Sequence, residues 1–157
     1  MSYGSADAST AAGYGKKSSD SQRPAMASVF HVNTPGDKAV LFAMAQLGKD
    51  YVWGGNGPNG YDCSGLTSQA WKSAGTVIPR IANDQYAFGT HVELGSLRPG
   101  DLLFWSTDTS DSRAINHAGM YIGGGWGVNA GGTGTGVNVR SIPQTSSWMM
   151  NLGVRPR

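Results

Sequence analysis

From Thr34 onward apolar residues recur at helical spacing, and Val40, Leu41, Met44 and Leu47 fall on one predicted face. Thr34-Pro35-Gly36-Asp37 supplies an N-cap, a proline at the first helical position and an acid three residues after the cap, while Gly48 closes the segment. A second helical period starts at Cys63, with Leu66, Ala70, Trp71 and Ala74 in phase and Gly75 as its stop. A short third helix is predicted around Asn83 to Phe88, ended by Gly89. The period then changes. Leu102-Leu103-Phe104-Trp105, Ala118-Gly119-Met120-Tyr121-Ile122, Gly127-Val128-Asn129-Ala130, Val137-Asn138-Val139-Arg140 and Leu152-Gly153-Val154-Arg155 are short β-leaning runs separated by Gly, Ser, Asp and Pro. Helices first and strands afterwards predict an α+β domain in which the helix beginning at Cys63 packs on an antiparallel sheet.

Residues 1–33 carry no apolar period and are rich in Ser, Ala, Gly and Lys, so they read as a tail or linker ahead of a domain spanning 34–157. With 157 residues, 39% hydrophobic and 14% charged, the chain suits one globular domain and excludes disorder throughout. A single cysteine excludes an internal disulfide and a Cys-based zinc cluster, and neither a metal nor a cofactor is expected. The 24 glycines favour tight turns over a helical bundle. A net charge of +2 gives no basic field of the kind that binds nucleic acid. No segment has the apolar length to cross a bilayer, and Met1-Ser2-Tyr3-Gly4-Ser5 lacks the charged-then-apolar pattern of a secretory leader, so no signal peptide is expected in this chain.

The one cysteine follows a Gly-rich turn and opens a helix, where unpaired backbone N–H groups and the helix dipole favour thiolate over thiol. It is read as a nucleophile or, equally on position alone, as a small buried hydrophobe. A thiolate hydrolase needs a base, and the chain offers His31, His91 and His117. His31 lies at the edge of the tail and His91 in a surface turn or sheet edge. His117 opens an apolar run that reads as a central strand and can hold an imidazole in position. Asn129 lies 129 − 117 = 12 residues later on the next strand, a spacing that lets adjacent antiparallel strands put both side chains on one face. By itself Asn129 reads as a turn or edge asparagine.

Tyr51-Val52-Trp53-Gly54-Gly55, Asp62-Cys63-Ser64-Gly65-Leu66, Ile78-Pro79-Arg80, Leu97-Arg98-Pro99-Gly100-Asp101-Leu102-Leu103-Phe104 and His117-Ala118-Gly119-Met120-Tyr121-Ile122-Gly123 resemble the ordered motifs of the NlpC-type (NlpC/p-sixty) family of papain-like cell-wall cysteine endopeptidases. The resemblance covers about residues 37–157. It implies a papain-like fold and hydrolysis of an amide bond in peptidoglycan stem peptides through a thioester. It implies Cys63 as nucleophile, His117 as base and Asn129 as the third polar residue, where most members carry histidine. It further implies Tyr51 as an oxyanion donor, Asp62 and Ser64 as contacts for a free substrate amine, and Arg80 as a contact for a substrate carboxylate or a brace of the site. The residues' own readings are an N-cap for Asp62, a surface ion pair for Arg80, turn formation for Trp53, Gly54 and Gly55, and core or packing positions for Trp126 and Trp148. The glycines of 123–136 lack the Gly-Lys-Ser/Thr of a phosphate loop and suit a cleft rim or tight strand connections.

Two rivals use the same features. One is a delivered toxin-like acyl transferase or deamidase with the same dyad; the other is a non-catalytic module that binds cell wall. The family works in the envelope or outside the cell, so a non-Sec route, a phage particle or a removed signal is implied, and residues 1–33 would suit a docking segment for a delivery partner.

Overall fold

The computed structural model describes residues 32–143 and 147–156, so His31 and almost all of the predicted tail lie outside it. Helix α1 spans Pro35–Met44; its N-terminus is capped as the sequence predicts, but it ends four residues before Gly48 and leaves Leu47 in the turn that follows. Thr34 Oγ1 accepts the Asp37 N–H at 3.0 Å, while the Asp37 carboxylate accepts from the N–H groups of Thr34 and Asn33 at 3.2 and 2.9 Å. Its buried face is Ala39, Val40, Ala43 and Met44. Leu41 is 48% exposed, contrary to the predicted face: neighbours on a helix point about 100° apart, and Val40 takes the core position.

Helix α2, Cys63–Ser73, starts at Asp62, whose Oδ1 accepts the Gly65 N–H at 2.6 Å, and stops before Gly75 at φ +97°. Leu66, Ala70 and Trp71 are buried on its inner face. Helix α3 is Ala82–Tyr86, starting one residue before the predicted segment and ending two before it. A two-residue parallel pair, β1 Asp50–Tyr51 and β2 Gly60–Tyr61, holds the loop that precedes α2.

The remaining strands are β3 Thr90–Glu93, β4 Leu102–Ser106, β5 Ile115–Gly123, β6 Trp126–Ala130, β7 Val137–Ser141 and β8 Leu152–Arg155. They form one sheet in the order β3-β8-β4-β5-β6-β7 with antiparallel neighbours. His91 lies on edge strand β3, its ring 4.6 Å from that of Tyr86. His117 is the third residue of β5 and does not open it.

Alternation along the strands gives the sheet two faces. Leu102, Phe104, Ala118, Met120, Ile122, Val128, Ala130 and Val154 join the helices in the main core. Leu103, Trp105, Ile142 and Met149 form a smaller cluster, against which Tyr121 packs. The helix layer is tied to the sheet at one close approach. Gly100 has φ +98°, and a Cβ on it would run into the backbone of Gly36 at the start of α1. Trp71 Nε1–H of α2 donates to Gly100 O at 3.0 Å, fixing the same turn from the second helix. The α+β architecture with the cysteine helix against an antiparallel sheet is therefore as the chain's pattern predicts.

Candidate active site

Cys63 stands at the first position of α2 and is largely buried. Backbone N–H groups of Ala118, Ser64 and Cys63 itself pull its thiol pKa down, but burial acts more strongly and the Asp62 charge adds to it, so the net direction is up. This corrects the expectation of a resting thiolate: the helix start does supply N–H groups, and the depth of the pocket outweighs them. The bond from Ala118 places Cys63 against β5, one residue beyond His117.

Burial lowers the His117 pKa to about 4, with the Arg140 charge contributing. Both shifts favour the uncharged forms at neutral pH, a thiol at Cys63 and a neutral imidazole at His117. The imidazole is held on two sides. Its ring lies 5.2 Å from that of Trp105, tilted by 49°, and its Nε2 is 2.9 Å from Asn129 Nδ2.

The Asn129 contact decides the tautomer. With Nδ2 donating to Nε2 the ring proton sits on Nδ1, and Asn129 Oδ1 is left buried without a partner. Turning the carboxamide end for end pairs Oδ1 with an Nε2–H and leaves the lone pair on Nδ1. Only this second arrangement gives His117 a basic nitrogen on the side away from Asn129. Asn138 is Asn129's register partner across β6 and β7. Gly119 makes room for the arrangement, since a Cβ there would lie 3.3 Å from Asn129 Cβ and 3.4 Å from Trp105 Cζ3.

The cysteine side is braced by one arginine. Arg80 Nη2 binds Asp62 Oδ2 at 2.9 Å and Gly55 O at 3.2 Å, and its Nη1 donates to Ser64 Oγ at 2.9 Å. Asp62 is thus both N-cap and ion-pair partner, and Arg80 is a half-buried brace with 36% of its side chain exposed. Buried Gln85 supports this ring from below: its Nε2 donates to Ser64 O and Pro79 O at 3.1 and 2.9 Å. Tyr51 faces the same pocket, its phenol pKa raised by partial burial and by the charges of Cys63 and Asp62. The structure thus gathers Tyr51, Asp62, Cys63, Ser64 and Arg80 at the start of α2, and His117 and Asn129 on the adjoining strands.

The loop glycines behave as turn formers, with Gly54 at φ +69° and the Gly55 N–H donating to Val52 O at 2.7 Å. Trp53 stands beside Gly54 at the centre of the same turn, its side chain 90% exposed at the loop tip. Trp126 packs against the core, whereas Trp148 is 61% exposed and departs from the packing role predicted for it. Trp105, Arg140 and Asn138 were not singled out by sequence as site residues. Each sits in a predicted strand, but which residues face one another across strands depends on a register that the runs do not reveal.

A model of the NlpC/P60 family matches residues 48–154. Over 88 residues the chain is 42% identical to a protein named probable endopeptidase p60 of Listeria monocytogenes, covering 56% of this chain and 17% of that one. Over 99 residues it is 38% identical to a gamma-D-glutamyl-L-lysine dipeptidyl-peptidase of Bacillus subtilis, covering 63% of this chain and 33% of that one. The chain thus spans a third or less of the length of these two relatives. Among solved structures, the peptidoglycan hydrolase RipB of Mycobacterium tuberculosis superposes with a TM-score of 0.68 at 28% identity, covering 77% of this chain and 64% of that one.

Proposed function

The chain belongs to the NlpC/P60 family, and from that premise we propose that it is a cysteine endopeptidase that hydrolyses an amide bond in peptidoglycan stem peptides. The observation that supports this reading is a helix-start thiol held by the Ala118 N–H against β5, one residue along from a buried imidazole that is itself hydrogen-bonded to a carboxamide. In the proposed reaction His117 removes the Cys63 proton as Sγ attacks the scissile carbonyl. The tetrahedral oxyanion is met by the Cys63 N–H and the Tyr51 hydroxyl. His117 then protonates the leaving amine, a thioester remains on Cys63, and water activated by the same imidazole releases the acid. Asn129 holds the tautomer throughout. Asp62 and Ser64 are proposed to receive a free substrate amine, with Arg80 keeping them in place. Hydrolases of this kind act in the cell envelope or outside the cell, which is the proposed site of action. Among the described residues no helix is long and apolar enough to cross a membrane.

Incubation of purified cell wall with the full chain, followed by mass spectrometry of soluble fragments, tests the reading. Wild type releases stem-peptide fragments; Cys63→Ala lowers the rate at least about a thousandfold without unfolding the protein, and His117→Ala does nearly the same. Asn129→Ala causes a smaller loss. Fragment release undiminished in Cys63→Ala would refute a cysteine mechanism.

A further inference from the structure

Gln85 on α3 is a carboxamide with 1% exposure whose polar atoms are all engaged. Its Nε2 donates to Ser64 O at 3.1 Å and to Pro79 O at 2.9 Å, and its Oε1 accepts from Thr67 Oγ1 at 2.8 Å. Two carbonyl oxygens face one end of the carboxamide, so that end is the nitrogen and only one orientation satisfies the group. Ser64 and Thr67 belong to the first turns of α2, whereas Pro79 is the residue directly before Arg80. The contacts close a ring. It runs from Gln85 Nε2 to Pro79 O, along the chain to Arg80, from Arg80 Nη1 to Ser64 Oγ at 2.9 Å, and from Ser64 O back to Gln85. Arg80 Nη2 draws Asp62 Oδ2 into the same ring at 2.9 Å.

Ser64 and Arg80 are 16 residues apart in sequence, so their spacing is set by what holds the two segments together. An arginine has a long side chain whose ordering is entropically costly, and its head lies where its root is held. Gln85 holds that root and the start of α2 with a single amide nitrogen. The thiol is held separately, by the N–H groups of Ala118 on β5 and of Ser64 and Cys63 themselves. Loosening the Gln85 contacts therefore moves the Asp62–Ser64–Arg80 group while leaving Cys63 against β5.

We propose that Gln85 is the positioning residue of the amine pocket, setting the spacing of Asp62, Ser64 and Arg80 and with it the preference for a substrate whose amine is free. This rests on the amine pocket proposed above and adds that its selectivity is set by a buried side chain that touches neither the substrate nor Cys63.

The test uses the full chain and two synthetic peptides, L-Ala-γ-D-Glu-meso-diaminopimelate with its N-terminal amine free or formylated. Fragment release is followed by chromatography to give kcat and KM for each. Wild type is expected to favour the free amine by about tenfold or more in kcat/KM, chiefly through KM. Gln85→Met, close in length but without a donor, brings that ratio to about threefold or less by raising KM for the free peptide, and keeps kcat on the formylated peptide within about threefold of wild type. Gln85→Asn retains the carboxamide on a shorter stem that cannot span both carbonyls, and loses part of the preference. The ratio of the two substrates within one variant does not depend on how much of that variant is folded. A wild-type ratio in either variant that accumulates as folded protein overturns the positioning role. An equal loss on both peptides with the ratio intact makes Gln85 a support of the fold alone and overturns it too. Equal use of both peptides by wild type overturns the amine pocket together with the role of Gln85 and leaves the hydrolysis standing, whereas cleavage of neither peptide overturns all three.

Discussion

An imidazole buried as deeply as His117 binds its proton far less readily in the folded chain than in the unfolded one. With the folded pKa lowered to about 4 from 6.5, the unfolded state holds more protons between those two values. Stability therefore rises with pH across that window and is insensitive to this group above it, a change of roughly 3 kcal/mol in all. Urea denaturation followed from pH 4 to pH 7 checks the sign, and His117→Gln should flatten the curve by about that amount. The same value sets the acid limb of kcat/KM for the proposed hydrolysis, which should rise as pH passes upward through about 4 and be level by neutrality. Position along the chain singled out Cys63 and His117 as candidates, whereas Asn129 drew notice only through its spacing from His117 and the family resemblance. The protonation states were not legible there, because they follow from burial depth, and no local signal around Cys63 announces how much of α2 and β5 closes over it.

At the scale of elements, the helices were readable where their signals are local: the cap at Thr34, the acid at Asp37 and the stop at Gly75. Leu41 was misplaced because an apolar residue beside Val40 fits a helical count while pointing away from the core. Strand β3 was read as a turn or edge, since four residues with one half-buried position give no alternation to count. The segment from Asp62 to Gly65 shows how tightly one helix start is specified. A Cβ on Gly65 would collide with Gly55 O and lie 2.9 Å from Asp62 Oδ1 and 3.2 Å from Arg80 Nη2. Gly65→Ala should therefore cost about 1–3 kcal/mol in stability and disturb the Arg80 brace. Its measurable signature is a fall in kcat/KM for cell-wall fragments larger than that of Ser73→Ala, a substitution at the other end of the same helix.

Across the whole molecule, one ion pair joins segments 54 residues apart. Asp101, at 1% exposure, accepts from Arg155 Nε and Nη2 at 2.9 and 2.8 Å and from the Arg98 N–H at 2.7 Å. This holds β8 to the turn before β4, where the register pairs Leu102 with Val154. Removing one partner of a buried pair leaves the other uncompensated, so Asp101→Ala should lower unfolding free energy by roughly 3 kcal/mol in chemical denaturation. The Cys63 alkylation rate at a temperature where the variant is folded should stay unchanged, because the pair lies apart from the site.

Strand order also has a temporal side. β3 is complete at Glu93, yet the strand beside it in the sheet begins at Leu152. While the chain is being synthesised, α1, α2 and the β4–β7 meander can assemble in sequence, but β3 and the adjacent edge of β4 have no neighbour until β8 emerges. The growing chain thus carries two unpaired strand edges until β8 emerges, the kind of surface that recruits other strands. Closure of the sheet is a late, long-range event, and variants that weaken the docking of β8 would be expected to fail first as insoluble nascent protein and only afterwards as poor catalysts.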